Sequence, residues 1–199
     1  MENIEEKFNL TIERADSVSA LSDFYCGVKP LDDFIHNLDN GLDFFIKKHL
    51  TNLWIVFNHD EPIAFFALSK SNLVINNLDK QTLLNHYNWE IDEDIFLKKS
   101  SYPSVEIDYF AIKNTYRNKG IGRLILSEIT NKVLIDKLSA TMFLTLEAYN
   151  TPSYSSVNFY KKCEFQISEH GMLQNQYKER YGERSLTIRM YKTLFPGRI

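Results

Sequence analysis

The stretch Tyr116-Arg117-Asn118-Lys119-Gly120-Ile121-Gly122-Arg123-Leu124-Ile125-Leu126 decides the fold, because it sets the chain's only close glycine pair between an apolar strand and an amphipathic helix. Without a Cβ, Gly120 and Gly122 let backbone N–H groups approach a ligand, and the unsatisfied N–H groups of a helix start carry partial positive charge. Such a turn suits an anion. Its surroundings agree, since residues 113–127 hold Lys113, Arg117, Lys119 and Arg123 and no acid, in a chain of net charge -3. Taken alone, a Gly-x-Gly is equally an ordinary helix start with solvated basic residues.

The length of 199 residues, with 44% hydrophobic and 25% charged, suits one domain with a substantial core. Two cysteines, Cys26 and Cys163, make no disulfide framework and have no metal-ligand spacing, and the five histidines form no HExxH pair. No metal is expected. The acidic residues 1–6 do not resemble a signal sequence, and apolar runs such as residues 63–68 are strand-sized, far short of the ~20 residues of a membrane span. A reducing cytoplasm and no membrane association are the expectation.

Outward from the glycine pair, apolar spacing predicts alternating strands and helices with no linker to divide them. Residues 8–13 read as a strand, and Leu31, Phe34, Ile35, Leu38, Leu42, Phe45 and Ile46 as one helical segment after Pro30. Residues 53–57 and 63–68 flank a turn at 58–61 and predict a hairpin. Residues 73–104 read as an insertion, with 78–87 helical and an acidic patch at 90–94 that is a solvated face or an attractor for a cationic substrate. Then come a strand at 105–112, a helix at 120–138 with Ile121, Leu124, Ile125, Ile129 and Leu138 inward, and a strand at 142–148. A short helix at 153–162 precedes strands at 165–168 and 185–191, the latter alternating Leu186, Ile188 and Met190. This is a mixed α/β domain.

With the loop placed between strand and helix, the chain resembles the GNAT superfamily of acyl-CoA-dependent N-acetyltransferases, whose pyrophosphate loop reads Arg/Gln-x-x-Gly-x-Gly/Ala. Arg117, Gly120 and Gly122 match it, as do residues 105–112 before it and 158–165 after it. The resemblance covers roughly residues 50–192 and implies a mostly antiparallel central sheet flanked by helices. Glu164 departs from it, standing where the family usually has glycine before an aromatic residue.

The resemblance implies acetyl-CoA as cofactor and an amine as acceptor. Loop N–H groups of Arg117, Asn118, Lys119, Gly120, Ile121, Gly122 and Arg123 would hold the pyrophosphate, and Phe110, Ala111 and Ile112 would pair by backbone with the pantetheine arm. Tyr160 matches the tyrosine that in many members gives a proton to the departing thiolate, or else it is a packed ring. Glu106 lies where some members carry a general base acting through water; two residues from Asp108, it shares a strand face with it, and the two acids are equally read as substrate contacts or edge charges. Asn150 and Ser153 fall where the family places polar contacts to CoA. Cys163, three residues after Tyr160, allows a covalent acetyl-cysteine route, against the commoner buried thiol.

A second resemblance lies upstream: Phe24-Tyr25-Cys26-Gly27-Val28-Lys29-Pro30-Leu31-Asp32-Asp33-Phe34-Ile35 is similar to a segment of GNAT toxins from bacterial toxin and antitoxin pairs. That group acetylates the amino acid on charged tRNA, so charged tRNA and an antitoxin protein are the partners it implies. A net acidic chain argues the other way, because tRNA binding needs extended basic surface. The sequence therefore leads to an N-acetyltransferase for a primary amine, with a toxin acting on aminoacyl-tRNA and a noncatalytic CoA-binding module as alternatives. Homodimer formation stays open.

Overall fold

A computed structural model describes residues 8–86, 93–136, 139–180, 182 and 185–194. The acidic start at 1–6, residues 90–92 of the acidic patch and Leu138 lie outside these described residues. Seven strands follow one another in the sheet order β1-β2-β3-β4-β5-β7-β6. They are β1 (Leu10–Ala15), β2 (Asn52–Asn58), β3 (Glu61–Val74), β4 (Ser101–Ile112), β5 (Phe143–Tyr149), β6 (Gln166–Ile167) and β7 (Thr187–Thr193). The helices are α1 (Lys29–His36), α2 (Leu42–Lys47), α3 (Asn77–His86), α4 (Glu93–Lys98), α5 (Ile121–Ile135), α6 (Val157–Lys161) and α7 (Glu169–Arg180). The pairs β1/β2, β2/β3, β5/β7 and β6/β7 are antiparallel, so the mixed α/β class with a mostly antiparallel sheet is the one observed.

The chain divides into two compact units. The first takes in Met1–Ser69 and Ile107–Glu128. Its core packs Leu21, Phe24, Cys26, Ile35, Leu42, Ile46, Leu53, Ile55, Phe65, Ala67 and Ala111, taking alternate residues of β2 and β3, and all six residues from Ile63 to Leu68 are buried, so β3 is covered on both faces. The β2–β3 hairpin turns through His59 and Asp60, with Asn58 opposite Glu61 and His59 at φ 54. Two-residue hairpin loops need such left-handed backbone.

The single helical segment expected over residues 31–46 is two helices instead. Asn37 Oδ1 accepts from the N–H of Asp39 (2.9 Å) and Asn40 (3.1 Å), competing with the helical bonds. A Cβ on Gly41 would lie 2.2 Å from the carbonyl oxygens of Asn37 and Phe34. Only glycine lets the chain fold back that closely.

The second unit takes in Lys70–Glu106 and Ile129–Ile199. Leu73, Ile75, Leu83, Phe96, Tyr102, Phe143 and Tyr191 form its aromatic-rich core, to which the region read as an insertion contributes directly. Helix α7 was not foreseen, and it is mostly exposed. The buried carboxylate of Asp79 in α3 supplies its cap, accepting from the N–H of Glu169 (2.8 Å) and His170 (3.1 Å). Among the described residues, no helix is long and apolar enough to cross a membrane.

Candidate active site

In the first unit, β4 runs into a 3-10 turn at Asn114–Tyr116 and then into the loop. Asn118 (φ 59) and Gly120 (φ 82) are both left-handed, a conformation that asparagine and glycine tolerate best. Helix α5 begins at Ile121, and Arg123 N–H and Leu124 N–H both return to Gly120 O, at 3.1 and 3.4 Å. Among the described residues, the backbone N–H groups of Asn118, Lys119, Gly120, Ile121 and Gly122 donate to no protein acceptor. Successive free N–H groups in a turn of this kind make an anion-binding concavity, and no acid stands between 113 and 127. A diphosphate fits these donors. Phe110, Ala111 and Ile112 end β4 just before, with Ala111 in the core and Lys113 N–H bonded to Ile63 O at 2.8 Å.

The upstream segment at 24–35 braces this turn. Asp32 accepts from Cys26 N–H (2.7 Å) and Gly27 N–H (2.9 Å), and Asn114 N–H donates to Tyr25 O at 3.1 Å. Gly27 sits at φ 79, with the Asn114 side chain in contact where its Cβ would be. Burial, helped by Asp32, pushes the Cys26 thiol up to about 11, so Cys26 stays a protonated packing residue at neutral pH. The Cys-Gly and Leu-Asp pairs of the segment are thus backbone geometry in service of the turn before the loop.

The second unit holds the proton-handling candidates. Tyr160, 8% exposed on α6, packs edge-on against Phe159 and Phe165, with ring centroids 5.0 and 5.6 Å away. Its hydroxyl has no hydrogen-bond partner among the described residues. Burial first, then Tyr154 and Cys163, raises its pKa far above the ordinary tyrosine value, so it carries its proton throughout the physiological range. Cys163 is buried, its N–H on Tyr160 O at 2.9 Å. Asn150 and Ser153 sit in the turn after β5: Asn150 N–H bonds Leu186 O at 2.8 Å, and Ser153 Oγ lies 3.2 Å from Thr151 Oγ1. Glu164 adopts φ 71, so the turn keeps the backbone that a glycine would supply.

Glu106 and Asp108 have separate partners. In the second unit Arg189 grips Glu106 through Nη1 and, at 3.1 Å, through Nη2, while Ser71 Oγ donates to it at 2.9 Å. Glu147, directly opposite Arg189 in the β5/β7 register, reaches the same guanidinium at 3.6 Å. In the first unit Asp108 accepts from Thr51 Oγ1 (2.6 Å) and Ser69 Oγ (2.8 Å). Arg189 escaped the sequence reading because β7 was read for its apolar face; its signal was the position between Ile188 and Met190, on the other face. Glu61, which binds Lys113 and Tyr116, was also missed, since nothing local marks it.

A family model described as acetyltransferase (GNAT) domain matches residues 50–167. No curated protein matches the chain. Among solved structures, a tyrosine-to-phenylalanine mutant of KacT is similar at 17% identity and TM-score 0.63, covering 93% of this chain and 95% of that one. A like mutant of the toxin AtaT, bound to the C-terminus of the antitoxin AtaR and acetyl-CoA, matches at 18% and 0.59 over 94% of both chains. AtaT complexed with acetyl-methionyl-tRNA matches at 19% and 0.60, over 91% of this chain and 94% of that one. Likeness at these identities is likeness of fold.

Proposed function

The chain belongs to the GNAT acetyltransferase family and is an acetyl-CoA-dependent N-acetyltransferase, and on that premise we propose roles for its residues and a class of acceptor. The observation that carries the cofactor assignment is the row of unengaged N–H groups from Asn118 to Gly122. They receive the pyrophosphate, with Arg117, Lys119 and Arg123 supplying local positive potential. Phe110, Ala111 and Ile112 offer strand backbone to the pantetheine arm, and Asn150 and Ser153 offer polar contacts. The cofactor supplies an acyl group activated as a thioester.

Tyr160 Oη holds the proton that the departing thiolate needs; its burial and unpartnered hydroxyl support that role. Glu106 is the candidate base. Arg189 and Ser71 fix both of its oxygens in place, and the remaining lone pairs can take a proton from the acceptor's ammonium through water. The other options are a substrate contact by Glu106 and an acetylated Cys163, which is as buried as Tyr160 at 8% exposure.

As acceptor we propose the α-amine of a charged tRNA. The support is one of extent. The family model stops at 50 and 167, whereas the toxin folds run over more than nine-tenths of the chain, and the segment at 24–35 is itself similar to one of GNAT toxins. A cytoplasmic location and an antitoxin as partner go with that reading, and a homodimer is compatible with it. With a net charge of -3, phosphate contacts must be local, so the salt dependence should be shallow for a tRNA enzyme. The test is thiol release from acetyl-CoA with charged tRNA, a polyamine and a peptide amine as separate acceptors. Release on charged tRNA is expected; release on the polyamine or peptide alone would replace the toxin reading with that of a small-amine or peptide acetyltransferase.

A further inference from the structure

Within the first unit, the carboxylate of Glu61, first residue of β3, lies against a turn more than fifty residues away in sequence. Lys113 Nζ donates to its Oε1 at 2.7 Å and Tyr116 Oη to its Oε2 at 2.6 Å. The bond from Lys113, then that from Tyr116, holds the Glu61 carboxyl below the usual glutamate range. Main-chain bonds reinforce the junction, Lys113 N–H to Ile63 O and Tyr116 N–H to Lys113 O, both 2.8 Å. The Tyr116 ring then does two things. It packs in an edge-to-face contact with Phe8, centroids 6.3 Å apart, and its face carries Lys119 Nζ at 5.0 Å from the centroid.

We propose that Glu61 and Tyr116 are positioning residues for acetyl-CoA: Glu61 clamps the Tyr116 hydroxyl, and the clamped ring parks the Lys119 ammonium beside the phosphate-binding loop. The inference rests on the loop's assignment to the pyrophosphate. Lys119 is exposed, and a lysine with a flexible four-carbon stem loses rotamer entropy when it binds an anion. A ring beneath its ammonium restricts it beforehand, which is preorganisation. The Tyr116 hydroxyl, donating to a carboxylate, pushes electron density into the ring and strengthens the face that the ammonium meets. Lys113, meanwhile, is neutralised by its pair with Glu61. Of the local cations it is Lys119 that the network aims.

The idea predicts a sign that simple electrostatics does not. Removing a negative charge near an anion site should tighten phosphate binding through space; loss of the clamp should weaken it. Calorimetric titration of acetyl-CoA into Glu61→Gln, Tyr116→Phe, Lys119→Met and the Glu61→Gln/Lys119→Met double variant, with melting curves for each, reads that sign. Each single variant should weaken binding about threefold, the size of an exposed cation–π contact. The double should be no weaker than Lys119→Met alone, because both changes remove one interaction. Tighter or unchanged binding by Glu61→Gln, or multiplied losses in the double variant, would overturn the proposal. Gly120→Asp separates the two levels, with Arg123→Glu at an exposed position as its substitute should the glycine variant not fold. Wild-type affinity there would sink the loop assignment itself, whereas lost affinity there with an unchanged Glu61→Gln would sink the positioning role alone.

Discussion

The first unit handles its proposed ligand with backbone, and the second handles its proposed proton with side chains. The loop presents N–H groups that any residue would own, provided the chain turns left-handed at 118 and 120. The second unit depends instead on single atoms, Tyr160 Oη and the Glu106 carboxylate, each set in place by particular neighbours. The difference teaches what kind of change each region should feel. Conformation is the sensitive variable in one, and side-chain identity in the other.

Tyr160→Phe tests this most strongly. It removes one oxygen and leaves the ring packed against Phe159 and Phe165, so kcat should fall on the order of 100-fold, within the range of lost acid catalysis. Undiminished turnover would move the proton donor elsewhere. In the first unit, Gly120→Asp puts a Cβ at φ 82 and sets a carboxylate among the phosphate donors. The strain, about 1–2 kcal/mol, falls on folding stability, whereas crowding and repulsion of the phosphate fall on binding, so acetyl-CoA affinity should drop roughly 30-fold, about 2 kcal/mol. A smaller loss than for Lys119→Met would show side-chain charge, rather than backbone, to be what binds.

Arg189→Met asks how far the second unit relies on one ion pair. Glu106 keeps Ser71 but loses the guanidinium; its side chain is 20% exposed, so the penalty should be about 1–2 kcal/mol of stability, below that of a fully buried pair. Denaturant unfolding measures it, and an unchanged midpoint would mean water replaces the arginine. The smallest effect should come from Glu164→Gly, which relieves φ 71 and ought to stabilise by ~1 kcal/mol. Its pair with Lys192 is lost, but the Glu164 side chain is 79% exposed and such pairs contribute little. Lower stability would show that pair to outweigh the backbone strain.

The loop was legible because glycine spacing, local charge and the strand-to-helix change all fall within one short stretch. The hairpin was legible because two strand-sized apolar runs, residues 53–57 and 63–68, flank a four-residue turn. The break between α1 and α2 was masked because Leu31 to Ile46 keep helical spacing throughout, which outweighed the turn residues Asn37, Asp39, Asn40 and Gly41 that make the fold-back. Helix α7 was hidden because its face is polar and its cap, Asp79, comes from ninety residues upstream. Tyr160 was found through resemblance rather than pattern, and its burial and unpartnered hydroxyl became visible only in three dimensions.

The most direct test is calorimetric acetyl-CoA binding by Tyr160→Phe and Gly120→Asp beside the unaltered protein. Wild-type affinity in the tyrosine variant with binding lost in the glycine variant is the predicted result. Binding lost in the tyrosine variant and kept in the glycine variant would contradict the division between a backbone-built phosphate site and a side-chain proton donor.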